Sequence, residues 1–171
     1  MMEFKILINS IISEAHKGAR FFSLDIKDFF LASPMTKPKY MKIPYNLLPQ
    51  DIITHYNLQE KIVSDGHIYI KIKKGMYGLK QAAKLAHDKL VNHLKPFGYS
   101  PDPLAPNIWT HHTRKTKFCL CVDDFGVKTF SEEDSQHLIS ALKQAYNITI
   151  DKSGKEYCGL SLKWDYDKEV V

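Results

Sequence analysis

Residues 116–128 read Thr-Lys-Phe-Cys-Leu-Cys-Val-Asp-Asp-Phe-Gly-Val-Lys, an apolar run broken at its centre by the adjacent acids Asp123 and Asp124. Along a regular strand, neighbouring side chains point to opposite faces, and an ionised Asp is almost never buried without a partner. The chain must therefore reverse here, at a hairpin tip or bulge. Read alone, the pair describes a polar turn, since Asp is a common turn residue. Far upstream, Ser23-Leu24-Asp25-Ile26-Lys27-Asp28 places further acids at the end of a second apolar run. Asp25 and Asp28 also read as caps of a short helical turn starting at Lys27. Two acid sites that each end an apolar strand point to one cation site, provided the strands are neighbours.

The periodicity along the chain supplies that neighbourhood. Phe4, Leu7, Ile8, Ile11, Ile12 and Ala15 recur at helical spacing, with Gly18 as a stop. Phe21 to Ile26 reads as a buried strand. Pro34, Pro38 and Pro44 leave only a short extended piece around 40–43, and residues 46–58 hold a short helix. The Asp65-Gly66 turn signal precedes alternation over 67–72, which predicts a hairpin there. A helix over 79–94 is ended by Pro96 and Gly98. Strands follow at 108–111 and 117–122, then 125–130. A capping-box-like Ser131 with Asp134 opens a helix to about Tyr146. Terminal strands are expected at 147–150 and 157–164. Strand, long helix, hairpin, helix, strand is the order of a split β-α-β, ferredoxin-like α+β domain. In that topology the first strand lies beside the central hairpin, which brings Asp25 towards Asp123 and Asp124.

At 171 residues, 44% hydrophobic and 25% charged, the chain has the composition of one globular domain rather than a disordered one. Its net charge of +5 favours a polyanionic partner, although a solvated lysine surface accounts for it equally well. Arg20 and Arg114 are the only arginines. Contacts to phosphate would thus be largely sequence-independent. Cys119, Cys121 and Cys158 suggest no disulfide framework. The first two share a strand face as small hydrophobes, and no zinc-knuckle spacing surrounds them. No secretory signal is visible, and no run approaches the roughly 20 apolar residues of a membrane span. The expected location is intracellular, in a cytoplasmic particle or the nucleus, with no membrane partner.

A carboxylate set of this kind suits magnesium, a hard cation that takes carboxylate and phosphate oxygens. Two such ions about 4 Å apart can clamp the attacking and leaving oxygens of an in-line phosphoryl displacement.

Four segments carry a resemblance to a known family. Leu24-Asp25-Ile26-Lys27-Asp28-Phe29-Phe30 is followed by Tyr40-Met41-Lys42-Ile43-Pro44. Lys74-Gly75-Met76-Tyr77-Gly78-Leu79-Lys80-Gln81-Ala82 comes next, and then Val122-Asp123-Asp124. In order and spacing this resembles the reverse transcriptase of copia-type retrotransposon Pol polyproteins, over essentially residues 1–171. The string from Tyr77 to Ala82 with a downstream Val-Asp-Asp is specific, whereas the acids alone are not. The resemblance implies a polymerase palm with a ferredoxin-like sheet and part of the fingers. It implies RNA-directed DNA polymerase activity, with Asp25, Asp123 and Asp124 as catalytic, metal-binding carboxylates for two Mg2+ ions, Mn2+ being a possible substitute. Phe30, Gln81 and Ile26 would be substrate-binding, Phe30 under the incoming sugar and Gln81 beside nucleotide and template. Core packing and a first-turn polar residue are the plain readings of Phe30 and Gln81. Gly75 and Gly78 read as tight-turn glycines, because no P-loop pattern surrounds them. Lys152 and Lys155 are solvated lysines, or else candidates for the basic residue that protonates pyrophosphate. The implied partners are an RNA or DNA template with primer, deoxynucleoside triphosphates, and the rest of a Pol polyprotein, including integrase and RNase H.

The departures matter. Cys121 stands where the family usually has Tyr. The basic fingers residues are expected upstream of Met1, and the thumb and RNase H beyond the segment ending in Trp164-Asp165-Tyr166-Asp167. A palm-centred fragment with weak or no activity is therefore expected. Two other readings stay open: a non-catalytic nucleic-acid-binding remnant of a retroelement, and a ferredoxin-like regulatory or RNA-binding domain whose Asp pair is only a turn. The last lacks the paired strand aromatics in an RNP-type context that an RNA-recognition sheet would offer.

Overall fold

The computed structural model describes residues 2–171. In chain order the elements are α1 (Met2–Ile12), β1 (Arg20–Ile26), β2 (Pro34–Pro44), α2 (Gln50–His55), β3 (His67–Lys74) and α3 (Lys80–Leu94). There follow β4 (Tyr99–Pro101), β5 (Ile108–His111), β6 (Lys117–Cys121), β7 (Asp124–Thr129), α4 (Glu132–Lys143), β8 (Ile148–Asp151), β9 (Glu156–Tyr157) and β10 (Leu160–Ser161). The result is a mixed α+β fold with an antiparallel main sheet. Two compact units are distinguished, Met1–Phe29 with Ala86–Val171, and Phe30–Leu85. No helix among the described residues is long and apolar enough to cross a membrane.

The first unit is built on a six-stranded sheet in the order β4-β5-β6-β7-β1-β8, antiparallel at every step. The expected adjacency of the first strand and the central hairpin is present, since β1 pairs with β7 from Arg20↔Thr129 to Asp25↔Asp124. Alternation along the strands divides the side chains into two faces. Phe22, Leu24, Ile26, Trp109, Phe118, Leu120, Phe125 and Val127 occupy one face, and nearly all are buried below a few per cent exposure. Trp109 stacks on Phe118 with centroids 5.3 Å apart, and His87 of α3 meets Trp109 edge-on, so α3 lies over this face.

The opposite face is shared between the acids at one end and α1 at the other. Phe4, Leu7 and Ile11 recur at helical spacing and bury against Phe21, Cys119 and Tyr157. Lys128, almost wholly buried, gives its ammonium to Glu14 and to the Ser10 carbonyl (2.7 Å), pinning α1 to β7. A buried ammonium is tolerated only when paired in this way. Gly126 leaves room on this face for two rings: a Cβ there would lie 3.0 Å from the Phe21 ring and 3.1 Å from Tyr157.

In α4 the capping expectation is met: Ser131 Oγ accepts from Asp134 N at 3.1 Å, and Arg114 binds Asp134 at 2.7 Å. Three acids in the first turn of this helix also complement its dipole.

The second unit holds the β2–β3 ribbon and α2. Here the extended segment is longer than the prolines suggest, running from Pro34 to Pro44. In a two-stranded ribbon each strand has an outer edge that needs no N–H donor, so proline is accommodated. The Asp65-Gly66 turn does lead into a strand, but that strand pairs back to the upstream β2, from Pro44↔His67 to Lys39↔Ile72. Two further differences concern the first unit. Tyr99–Pro101 forms an unexpected short strand on β5, hidden by the Pro and Gly around it. The stretch 157–164 is not one strand, because it reverses at Cys158-Gly159 to pair β9 with β10.

Candidate active site

The acid pair sits at a reversal. Cys121 is opposite Asp124 across β6 and β7, which leaves Val122-Asp123 as a two-residue hairpin loop. Val122 takes φ of 62°, and Asp123 is not among the residues with positive φ. Positive φ at the first loop position alone is the pattern of a type II′ turn, where glycine is usual. A β-branched residue there is strained.

On the other side of β7, Asp25 is the register partner of Asp124, and Ile26 N donates to the Asp123 carbonyl at 3.1 Å. A hydrogen bond between the residues flanking a pair marks the narrow, non-hydrogen-bonded kind of antiparallel pairing, whose side chains stand closest. Asp25 and Asp124 therefore project together from one face, and the loop places Asp123 beside them. Burial, followed by the charges of Asp123 and Asp124, raises the Asp25 pKa above its ordinary value. Burial and then Asp123 raise that of Asp124, partly offset by a hydrogen bond from Cys158.

These three carboxylates offer the hard oxygen donors that a magnesium ion takes, and their mutual repulsion is what such a cation would relieve. The residues present thus fit the group in kind. Among the described residues, no three His, Cys, Asp or Glu side chains are gathered into a ready-made metal cage.

No known protein-family profile matches this chain.

The remaining candidates are distributed as follows. Ile26 is buried on the helix-covered face, so at the acid edge it contributes its N–H rather than its side chain. Asp28 lies in the exposed turn beyond β1, with φ of 55°. In the second unit Phe30 is 6% exposed, its ring set edge-to-face on Tyr77 with centroids 4.7 Å apart. Gln81, in the first turn of α3, donates from Nε2 to Thr36 Oγ1 at 3.1 Å. Gly78, with φ of 86°, serves a turn as expected. Gly75 differs, because its role is close approach. A Cβ there would lie 2.6 Å from the Phe30 carbonyl oxygen and 3.0 Å from Ala82 Cβ. Lys152 is ion-paired to Glu132 at 2.7 Å.

Sequence reasoning missed Cys158. In the β9–β10 turn both Cys158 (φ 49°) and Gly159 (φ 75°) are left-handed, as a type I′ hairpin requires. This turn sets the Cys158 thiol beside Asp124 and Cys121. Burial, then the Cys121 hydrogen bond, pushes its pKa up to about 12, so it is a neutral donor there. The available signal was the Cys-Gly dipeptide itself, a variant of the Asn-Gly hairpin turn. Cys121, Val122, Cys158, Tyr157, Cys119 and Phe4 line a cavity of about 450 Å³ behind the hairpin. The acids do not line it, so it is not where their chemistry would occur.

Proposed function

We propose that this chain is a reverse-transcriptase palm of the copia type with part of the fingers, whose reaction is template-directed transfer of deoxynucleotides to a primer 3′-hydroxyl. The single observation that carries the reading is the register pairing of Asp25 with Asp124, with Asp123 in the adjoining loop. The strand order supports it further. With β1 between β7 and β8, and β6 beyond β7, the sheet follows the split β-α-β arrangement expected for a palm.

In this reading Asp25, Asp123 and Asp124 hold two magnesium ions. When bound, these would lower the pKa of the attacking hydroxyl and balance charge on the leaving pyrophosphate. The chain's own residues do the positioning. Strand pairing aims two of the carboxylates from one face, and the Ile26 N–H fixes the loop backbone that carries the third. Cys158 donates to Asp124 without adding charge. Phe30 and Gln81 come to the proposal through the family resemblance, as the residues beneath the sugar and beside the template.

Primer extension on an RNA template with Mg2+, comparing the chain with Asp123→Asn, tests the reading. Weak extension by the parent, as expected of a fragment, and none by the variant is the expected result. Equal signal from both removes the catalytic role and leaves the non-catalytic remnant.

A further inference from the structure

The chain's net positive charge resides in one of its two units. Phe30–Leu85 contains nine lysines and three acids, a net +6, so the rest of the chain carries −1 of the total +5. The β2–β3 ribbon displays much of this charge in a regular pattern. Register places Tyr40 opposite Lys71 and Lys42 opposite Tyr69, with Lys73 next along the same face. Tyr40 is 64% exposed and Tyr69 57%, and Lys71 and Lys73 are exposed as well. The other face carries Ile43, Ile68, Ile70 and Ile72, buried or half-buried. The ribbon is thus amphipathic, and its two aromatic rings are on the wet side.

We propose that this Tyr/Lys face is a platform for single-stranded nucleic acid. The two tyrosines are diagonal neighbours, within reach of one another's rings, and each has a lysine directly opposite. Rings of this kind stack bases irrespective of sequence, and flanking lysines neutralise the phosphates between them. Lys42 is held by Asp65 at 2.5 Å, so Lys71 and Lys73 are the charges assigned to phosphate. A duplex, with its bases already stacked, cannot use the rings. The site involves neither the carboxylates nor a cation, so it does not rest on the catalytic reading.

The test is fluorescence anisotropy with labelled oligo(dT), oligo(U) and a mixed-sequence duplex, on the full chain in EDTA. Both single strands are expected to bind more tightly than the duplex, and any difference between them identifies the preferred sugar. Tyr40→Ala with Tyr69→Ala should weaken single-strand binding by about tenfold per ring. Tyr40→Phe with Tyr69→Phe keeps the rings and should retain affinity. Lys71→Gln and Lys73→Gln should each lower the salt slope of log K by about 0.7. Unchanged affinity in the alanine pair, an equal loss in the phenylalanine pair, or a duplex bound as tightly as the single strands would each overturn the proposal. Because the readout is in chelator, an inactive polymerase leaves this binding intact, and an active one does not rescue it.

Discussion

Asp25 and Asp124 stand directly opposite each other across β1 and β7, at a pair whose flanking residues Ile26 and Asp123 share the backbone hydrogen bond. Like charges so placed destabilise a sheet. Carboxylates whose pKa is shifted by burial and by one another in this way cluster at functional sites.

The first prediction concerns that repulsion. Both folded pKa values are raised above the unfolded ones, with burial the first cause in each case. In the window between unfolded and folded values the native state therefore binds more protons. Stability then falls as pH rises through that window, and the penalty is fully present above it. Asp124→Asn should accordingly raise Tm at pH 7 in EDTA by a few degrees, with the gain vanishing at a pH below the unfolded value. Magnesium should raise the Tm of the parent and leave the variant less affected. Thermal melts with and without chelator at both pH values check this, and a Tm lowered by the substitution at pH 7 would contradict it.

Strain at the hairpin tip leads to a second expectation. Val122 pays for a left-handed φ with little burial in return, being 49% exposed. Val122→Gly should stabilise the chain by about 1 kcal/mol, within the usual range for relieving such a residue. Urea unfolding measures it. A loss of stability would mean that the valine side chain contributes more than its backbone costs.

Gly75 should tolerate nothing larger. Its missing Cβ lies against the Phe30 carbonyl, a backbone atom with no rotamer to yield. Gly75→Ala should cost about 2 kcal/mol or more, whereas alanine at Gly159 meets only the φ penalty because no atom lies within 4 Å of its Cβ. Denaturation of the two variants side by side separates close approach from turn strain.

In the proposed reading Phe30 bears on sugar choice. If it lies beneath the incoming nucleotide, a small replacement should raise the ratio of ribonucleotide to deoxynucleotide incorporation in primer extension. The same change removes a buried ring from Tyr77 and should cost about 3 kcal/mol. The ratio, unlike total activity, is insensitive to the fraction folded. A constant ratio removes Phe30 from this role.

What was legible in the chain followed from local rules. β1, the β6–β7 hairpin and α4 announce themselves through apolar runs, an acid reversal and a capping serine, because each depends on residues close in sequence. β2 was obscured by its prolines, which break a central strand but not a ribbon edge. The Cys158-Gly159 turn was hidden inside a run that alternates acceptably as a strand, and nothing local says that its thiol returns to Asp124. The charge division was present in the lysine positions all along. It became visible only when contacts set the boundary of the second unit at Phe30 and Leu85.

The two-residue loop at Val122-Asp123 ties chemistry to chain length. A residue inserted there would be taken up by the turn, because three-residue loops also join antiparallel strands, and pairing with β1 would keep Asp124 opposite Asp25. Asp123, inside the loop, is the carboxylate such an insertion would displace. Two of the three acids are thus indexed by the sheet and the third by the turn alone, so a change of length at the tip would part Asp123 from its neighbours while leaving the core intact.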